Sequence, residues 1–143
     1  MTMASKASQV LQDILRTLQE SGHFASASLG ASNDTAVPRA ELLYESLVCF
    51  PGDDTAASWR RLIAAIVIHV RDETAASAIL RAGDLADKAA AALQADPFRN
   101  KLCQDLPVGR ATQIETSHLV GGVRRPDMQI RLEVRCHFEE DDQ

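Results

Sequence analysis

Met128-Gln129-Ile130-Arg131-Leu132-Glu133-Val134-Arg135-Cys136-His137-Phe138-Glu139 is the stretch that decides the fold. Apolar and polar residues alternate along it without a break. A period of two over this length predicts a β-strand with one buried and one charged face. Residues 139–143, Glu-Glu-Asp-Asp-Gln, then read as an acidic tail. A strand this late in the chain must find partners among much earlier segments, so the sequence describes an α+β unit with non-local pairing.

The best candidate partner is Trp59 to Arg71. Leu62, Ala64, Ile66, Ile68 and Val70 take one face, while Ile63, Ala65 and Val67 share the other with Arg61, His69 and Arg71. Apolar residues on both sides predict a central strand, covered on both faces for part of its length. Residues 39–50 read as its hairpin partner across Pro51-Gly52-Asp53-Asp54, with the loop continuing to Ser58. Phe24 to Leu29 reads as a short strand before a loop over residues 30–38. Thr112, Ile114, Thr116, His118 and Val120 suggest a weaker strand after an irregular stretch over residues 98–109, and residues 121–127 read as a turn-rich loop.

Two segments have helical spacing. Val10, Leu11, Ile14, Leu15 and Leu18 form one apolar stripe, and Gly22 supplies a stop. Asp72-Glu73-Thr74 offers N-cap residues for a second, Ala-rich helix with Ala75, Ile79, Ala82, Ala86, Ala89 and Leu93 on its inner face, ending near Asp96-Pro97. Gly83 within it costs about 1 kcal/mol relative to Ala, which suggests a kink or a tight contact. The predicted order is α-β-β-β-α-β-β in a single α+β domain over residues 1–143, with residues 1–8 flexible.

A length of 143 residues suits one domain, with 45% apolar and 24% charged residues and only 4% aromatics. The core must therefore rest on Leu, Ile, Val and Ala. The net charge is −5, and four acidic residues fall within 139–142, leaving the rest close to neutral. That balance argues against a nucleic-acid surface. Cys49, Cys103 and Cys136 show no CxxC spacing; Cys49 and Cys136 lie in apolar runs and read as buried hydrophobes of a reducing compartment. No stretch reaches the roughly 18–20 apolar residues of a membrane span, and residues 1–8 lack the apolar segment of a secretory signal. A soluble cytoplasmic protein is expected.

No constellation for chemistry emerges. His23, His69, His118 and His137 are scattered, and the adjacent Cys136 and His137 point to opposite faces of a strand, so neither a metal site nor a cofactor is predicted. There is no GxSxG elbow, and Gly121-Gly122 lacks the helix and lysine of a phosphate loop. Asp53 and Asp54 read as turn chemistry rather than half of a carboxylate metal site. The doublets Arg60-Arg61 and Arg124-Arg125 read either as solvated strand ends or as contacts to acidic patches on neighbouring subunits. Trp59 reads as core or as an interface anchor, with core preferred. Arg131, Glu133 and Arg135, on the polar face of the last strand, are either solvated or a subunit contact of alternating charge. No catalytic residues are assigned, and an enzyme is not expected.

Taken together, an amphipathic helix over residues 10–18, a strand starting at Phe24, a long loop, an antiparallel pair across Pro51-Gly52-Asp53-Asp54, an Ala-rich helix closing with Ala92-Leu93-Gln94-Ala95-Asp96, and an alternating last strand form a recognisable order. In size and pattern the chain resembles the tail terminator proteins of long-tailed bacteriophages and their prophage relatives. The resemblance covers essentially the whole chain at the level of segments, without a residue signature. It implies two helices packed on one face of a mixed, mostly antiparallel sheet, and a hexameric ring that stops tail-tube polymerisation and faces the head connector. Its contacts would lie on sheet edges and on the loops 30–38, 51–58 and 121–127. Partners would be further copies of the chain, the tail tube protein and the head connector, in the host cytoplasm and then the virion, with no nucleic acid or membrane. Two other readings fit the same sequence: a small α+β adaptor for an unrelated bacterial protein, and an enzyme with an unrecognised pocket.

Overall fold

The computed structural model describes residues 5–33, 36–50, 57–96, 99, 102–103, 106 and 108–141. In chain order these form α1 (Lys6–Glu20), β1 (Ser26–Leu29), β2 (Arg39–Phe50), β3 (Ala57–Arg71), α2 (Ala75–Gln94), β4 (Val108–Val120) and β5 (Val123–Asp141). The strands make one sheet in the order β1-β2-β3-β5-β4. Only β1 runs parallel to its neighbour β2; the other pairs are antiparallel. The chain is thus a mixed, mostly antiparallel α+β fold.

The alternating strand sets the core. Met128, Ile130, Leu132, Val134, Cys136 and Phe138 are all buried, and five of them pair with Val70, Ile68, Ile66, Ala64 and Leu62 of β3. Burying each large apolar side chain contributes about 1.5–3 kcal/mol. Both helices lie on this one face: α2 over β3, β5 and β4, and α1 over β1 and β2 with a flank against α2. Ala78, Ala82, Ala86 and Ala89 are the small residues that let α2 settle onto the sheet. Each helix starts on a hydroxyl cap: the Ser8 N–H donates to Ser5 Oγ (3.2 Å) and the Ser77 N–H to Thr74 Oγ1 (3.1 Å).

Arg99 locks the helix layer. Its side chain is 2% exposed, and its guanidinium donates to Asp96 O (2.7 Å), Leu93 O (2.5 Å) and Thr17 Oγ1 (2.8 Å) while lying 3.2 Å from Asp13 Oδ2. A single side chain therefore satisfies carbonyls at the end of α2 and ties them to the middle of α1. Its backbone sits at φ +46°, in the left-handed region, where these bonds offset the strain.

The pattern and the fold part company at several places. The acidic residues Glu139, Glu140 and Asp141 are not tail but strand, paired with Trp59, Ser58 and Ala57. Lys6 to Ser8 belong to α1 rather than to a flexible terminus. The loop expected over 121–127 shrinks to Gly121-Gly122, both at positive φ, because residues 123–127 pair with β4. β4 begins at Val108, inside the stretch read as irregular. Ile79 is 41% exposed; Leu85 takes the inward place in its stead. β2 alternates loosely because its register shifts between Tyr44 and Ser46, which turns Leu47 back toward the core. β3 is central, but helices cover it on one face only.

Candidate functional site

The face of the sheet away from the helices is the surface left for recognition. Along β3 it carries Trp59, Arg61, Ile63, Ala65, Val67, His69 and Arg71, and along β5 the odd-numbered residues from Asp127 to Glu139, which pair with them in register. β2 adds Arg39, Glu41, Leu43, Ser46 and Val48. Trp59 is 40% exposed and Val48 36%, while Leu43, Ile63 and Val67 are half-buried.

Several charged groups on this face have partners within the chain. Glu45 at the β2 irregularity meets Arg131, Arg135 Nε donates to Glu133 Oε1 (2.6 Å), and Arg61 Nε donates to His137 Nε2 (2.9 Å). The cross-strand spacing of a sheet produces such pairs. Their result is a face with apolar centres between two intrachain ion pairs, Glu45–Arg131 and Arg135–Glu133, with Arg39 at its end keeping an Nε that has no partner among the described residues. The two hairpins extend it in opposite directions. β2, β3 and the end of β5 run on past the first residue of β4, which is opposite Val134; the β4–β5 hairpin projects past β3 at residues 123–126.

The predicted interface residues scatter over this frame. Arg131, Glu133, Arg135 and Arg61 share the open face, and Trp59 joins them there rather than in the core. Its register partners Phe50 and Glu139 set that side. Arg60 falls on the helix-side face, opposite Cys49 and Phe138, so the Arg60-Arg61 doublet splits across the sheet. Arg124 and Arg125 have their backbone in the projecting hairpin, opposite Leu119 and His118. Asp53 and Asp54 lie outside the described residues. His69 and His137 occupy the polar face as their spacing predicts.

At one end of this face is a cluster that no local motif announces. Arg39, His69 and Gln129 form one row across β2, β3 and β5, and Arg71 and Asp127 the next. They line a cavity of about 100 Å³ together with Val37. Glu41, 8% exposed, accepts from the Ser32 N–H (2.7 Å) at one oxygen and meets His69 Nε2 at the other. Burial alone would raise the pKa of Glu41, but the Ser32 N–H, the His69 ring and the nearby Arg39 charge together hold it below the ordinary value of 4.5. Arg71 Nε donates to Asp127 Oδ1 (2.9 Å). Sequence reasoning missed this cluster because its members come from three strands. The one signal available was that His69 and Arg71 share parity at the end of a strand.

Among the described residues no group of three or more His, Cys, Asp or Glu side chains is arranged to hold a metal ion, and no helix is long and apolar enough to cross a membrane. The class defined is an α+β sheet protein with one helix-covered face and one open face. No known family model and no curated protein matches the chain.

Proposed function

We propose that the chain is a structural assembly protein of a bacteriophage or prophage particle, similar to tail terminators: it forms a ring, hexameric in the resemblance, that caps the tail tube and takes part in head-tail joining. The observation that carries the reading is the open sheet face, with Trp59 and Val48 exposed among charged groups, several of them paired within the chain. A like surface or a tube that covers it meets charges already held in pairs at Glu45–Arg131 and Arg135–Glu133, and aromatic anchors supply contact energy. The staggered hairpins add support. They place different strand ends at opposite corners of the molecule, so a copy-to-copy contact between them is heterologous, the kind that makes a ring when its rotation closes. The reading is non-enzymatic, with copies of the chain, the tail tube protein and the head connector as partners, acting in the host cytoplasm.

The test is negative-stain microscopy and light scattering of the full chain, alone and with tubes of the tail tube protein encoded in the same genome. Rings at tube ends and arrested tube growth are the expected result. A chain that stays monomeric and leaves tube ends bare and growing would sink the proposal.

A further inference from the structure

The geometry points to the cavity at the Arg39–His69–Arg71 end of the sheet as a binding site for a single oxyanion, a carboxylate or phosphate group. Arg39 Nε is buried and has no hydrogen-bond partner among the described residues. A buried charged donor left without an acceptor is unfavourable, and the two carboxylates of this cluster are otherwise engaged. Glu41 is held by the Ser32 N–H and by His69, and Asp127 by Arg71 Nε. Arg39 is therefore a donor with unused capacity, and it lines a space together with His69, Arg71 and Gln129, all able to donate, with Val37 and Val70, and with the Asp127 carboxylate, whose charge Arg71 Nε balances.

The space is matched to such a guest. At about 100 Å³ it holds roughly three waters, at ~30 Å³ each, or one carboxylate or phosphate group. Guanidinium groups recognise both through parallel N–H donors. A cation is disfavoured by Arg39 and Arg71, and a large apolar ligand by the volume. The scaffold is fixed: the residues sit in register across three paired strands, and Glu41 holds the loop before β2 through Ser32. The oxyanion can be a free ion or the carboxylate of an acidic segment, of which residues 139–142 of a second copy are one source. This inference does not depend on ring formation.

The test is a titration of the full chain with sodium phosphate and, separately, sodium acetate at constant ionic strength, read on the arginine Nε–Hε signals by NMR. The expected result is a saturable shift of the Arg39 and Arg71 signals, with Arg39→Met, followed on the Arg71 signal, weakening binding by about tenfold or more and Lys88→Met, on the exposed side of α2, leaving it unchanged. If Arg39→Met fails to fold by circular dichroism, Arg71→Gln carries the same expectation, since Arg71 is 40% exposed at the side chain. A peptide of residues 137–143 separates the sources: tighter binding than acetate at the Arg39 signal assigns a protein carboxylate, and tighter phosphate binding assigns a free ion. No saturable shift with any of the three probes, or an equal shift in the variant, means that the cavity holds water only and overturns the inference.

Discussion

β3 presents apolar residues to both sides of the sheet, and the two sides end differently. On the helix side, Leu62, Ala64, Ile66, Ile68 and Val70 are at most 1% exposed, sealed within the core beneath the helix layer, where α2 lies against β3. On the open side, Ala65 is fully buried between its register partners Leu43 and Glu133, while Ile63 and Val67 remain half-exposed. The long flanking side chains of this second face shield apolar atoms and keep their charged ends in water. Apolar content therefore identifies the central strand but does not say how many layers cover it. The charges do: the helix side of β5 has none from Met128 to Phe138, whereas the open side has a polar or charged residue at every position.

The sharpest way to break this comparison is to put a charge on the sealed side. Leu132→Arg places a guanidinium between Ile66 and the helices and is expected to abolish cooperative folding, because an unpaired buried charge costs more than the domain's net stability of about 5–15 kcal/mol. A cooperative thermal melt for this variant would overturn the register. Next in size is Arg99→Met, which leaves the buried Asp13 with the exposed Arg16 as its remaining ion-pair partner and removes the side-chain donor to the carbonyls of Leu93 and Asp96. A loss of about 3–5 kcal/mol in urea denaturation is expected. Adding Asp13→Leu should recover part of that loss, since the buried carboxylate, left with only the exposed Arg16, goes with it.

How much of this was legible differs by face as well. The sealed side could be read directly: alternation in residues 128–138 and spacing in both helices name most of the core. Strand ends beyond the helix layer could not. Glu139 and Asp141 carry no apolar signal, yet their backbone pairs with Trp59 and Ala57, because ladder hydrogen bonds need no particular side chain. The same holds for the start of β4: the strand over residues 112–120 was legible from its alternation, but its beginning at Val108, opposite Val134, was not. Arg99, and the row from Arg39 to Gln129, depend on tertiary register, which leaves no trace in spacing along the chain. Nothing among the described residues accounts for Gly83.

Glu41 tests the border between the two faces, since it lies on the open side yet is nearly as buried as the core. Glu41→Gln weakens the hold on Ser32 and His69 and is expected to cost about 1.5–3 kcal/mol at neutral pH. The sign with pH is fixed by the lowered pKa. A carboxylate held below its ordinary 4.5 contributes stability that is complete above that value and disappears as pH falls through the folded-state value. The stability gap between native chain and variant should therefore be constant near pH 7 and close as the pH drops below 4.5. A gap that persists unchanged into strong acid would show that Glu41 acts by packing and not by charge.

The smallest effect on folding belongs to the open side, and there the comparison is sharpened most. Arg131→Glu reverses one charge opposite Glu45, and Trp59→Ala removes an exposed aromatic; neither disturbs a residue sealed by the helices. Each is expected to shift stability by no more than about 1 kcal/mol, the scale of exposed ion pairs. If the open face is an assembly surface, the same two substitutions should abolish ring formation on tubes while the melt stays nearly unchanged. That dissociation separates the faces by function as well as by burial. Helix-side variants lose assembly only as they lose folding, and open-side variants lose it alone. A Trp59→Ala chain that melts like the native protein and still caps tubes would leave the open face with no part in assembly.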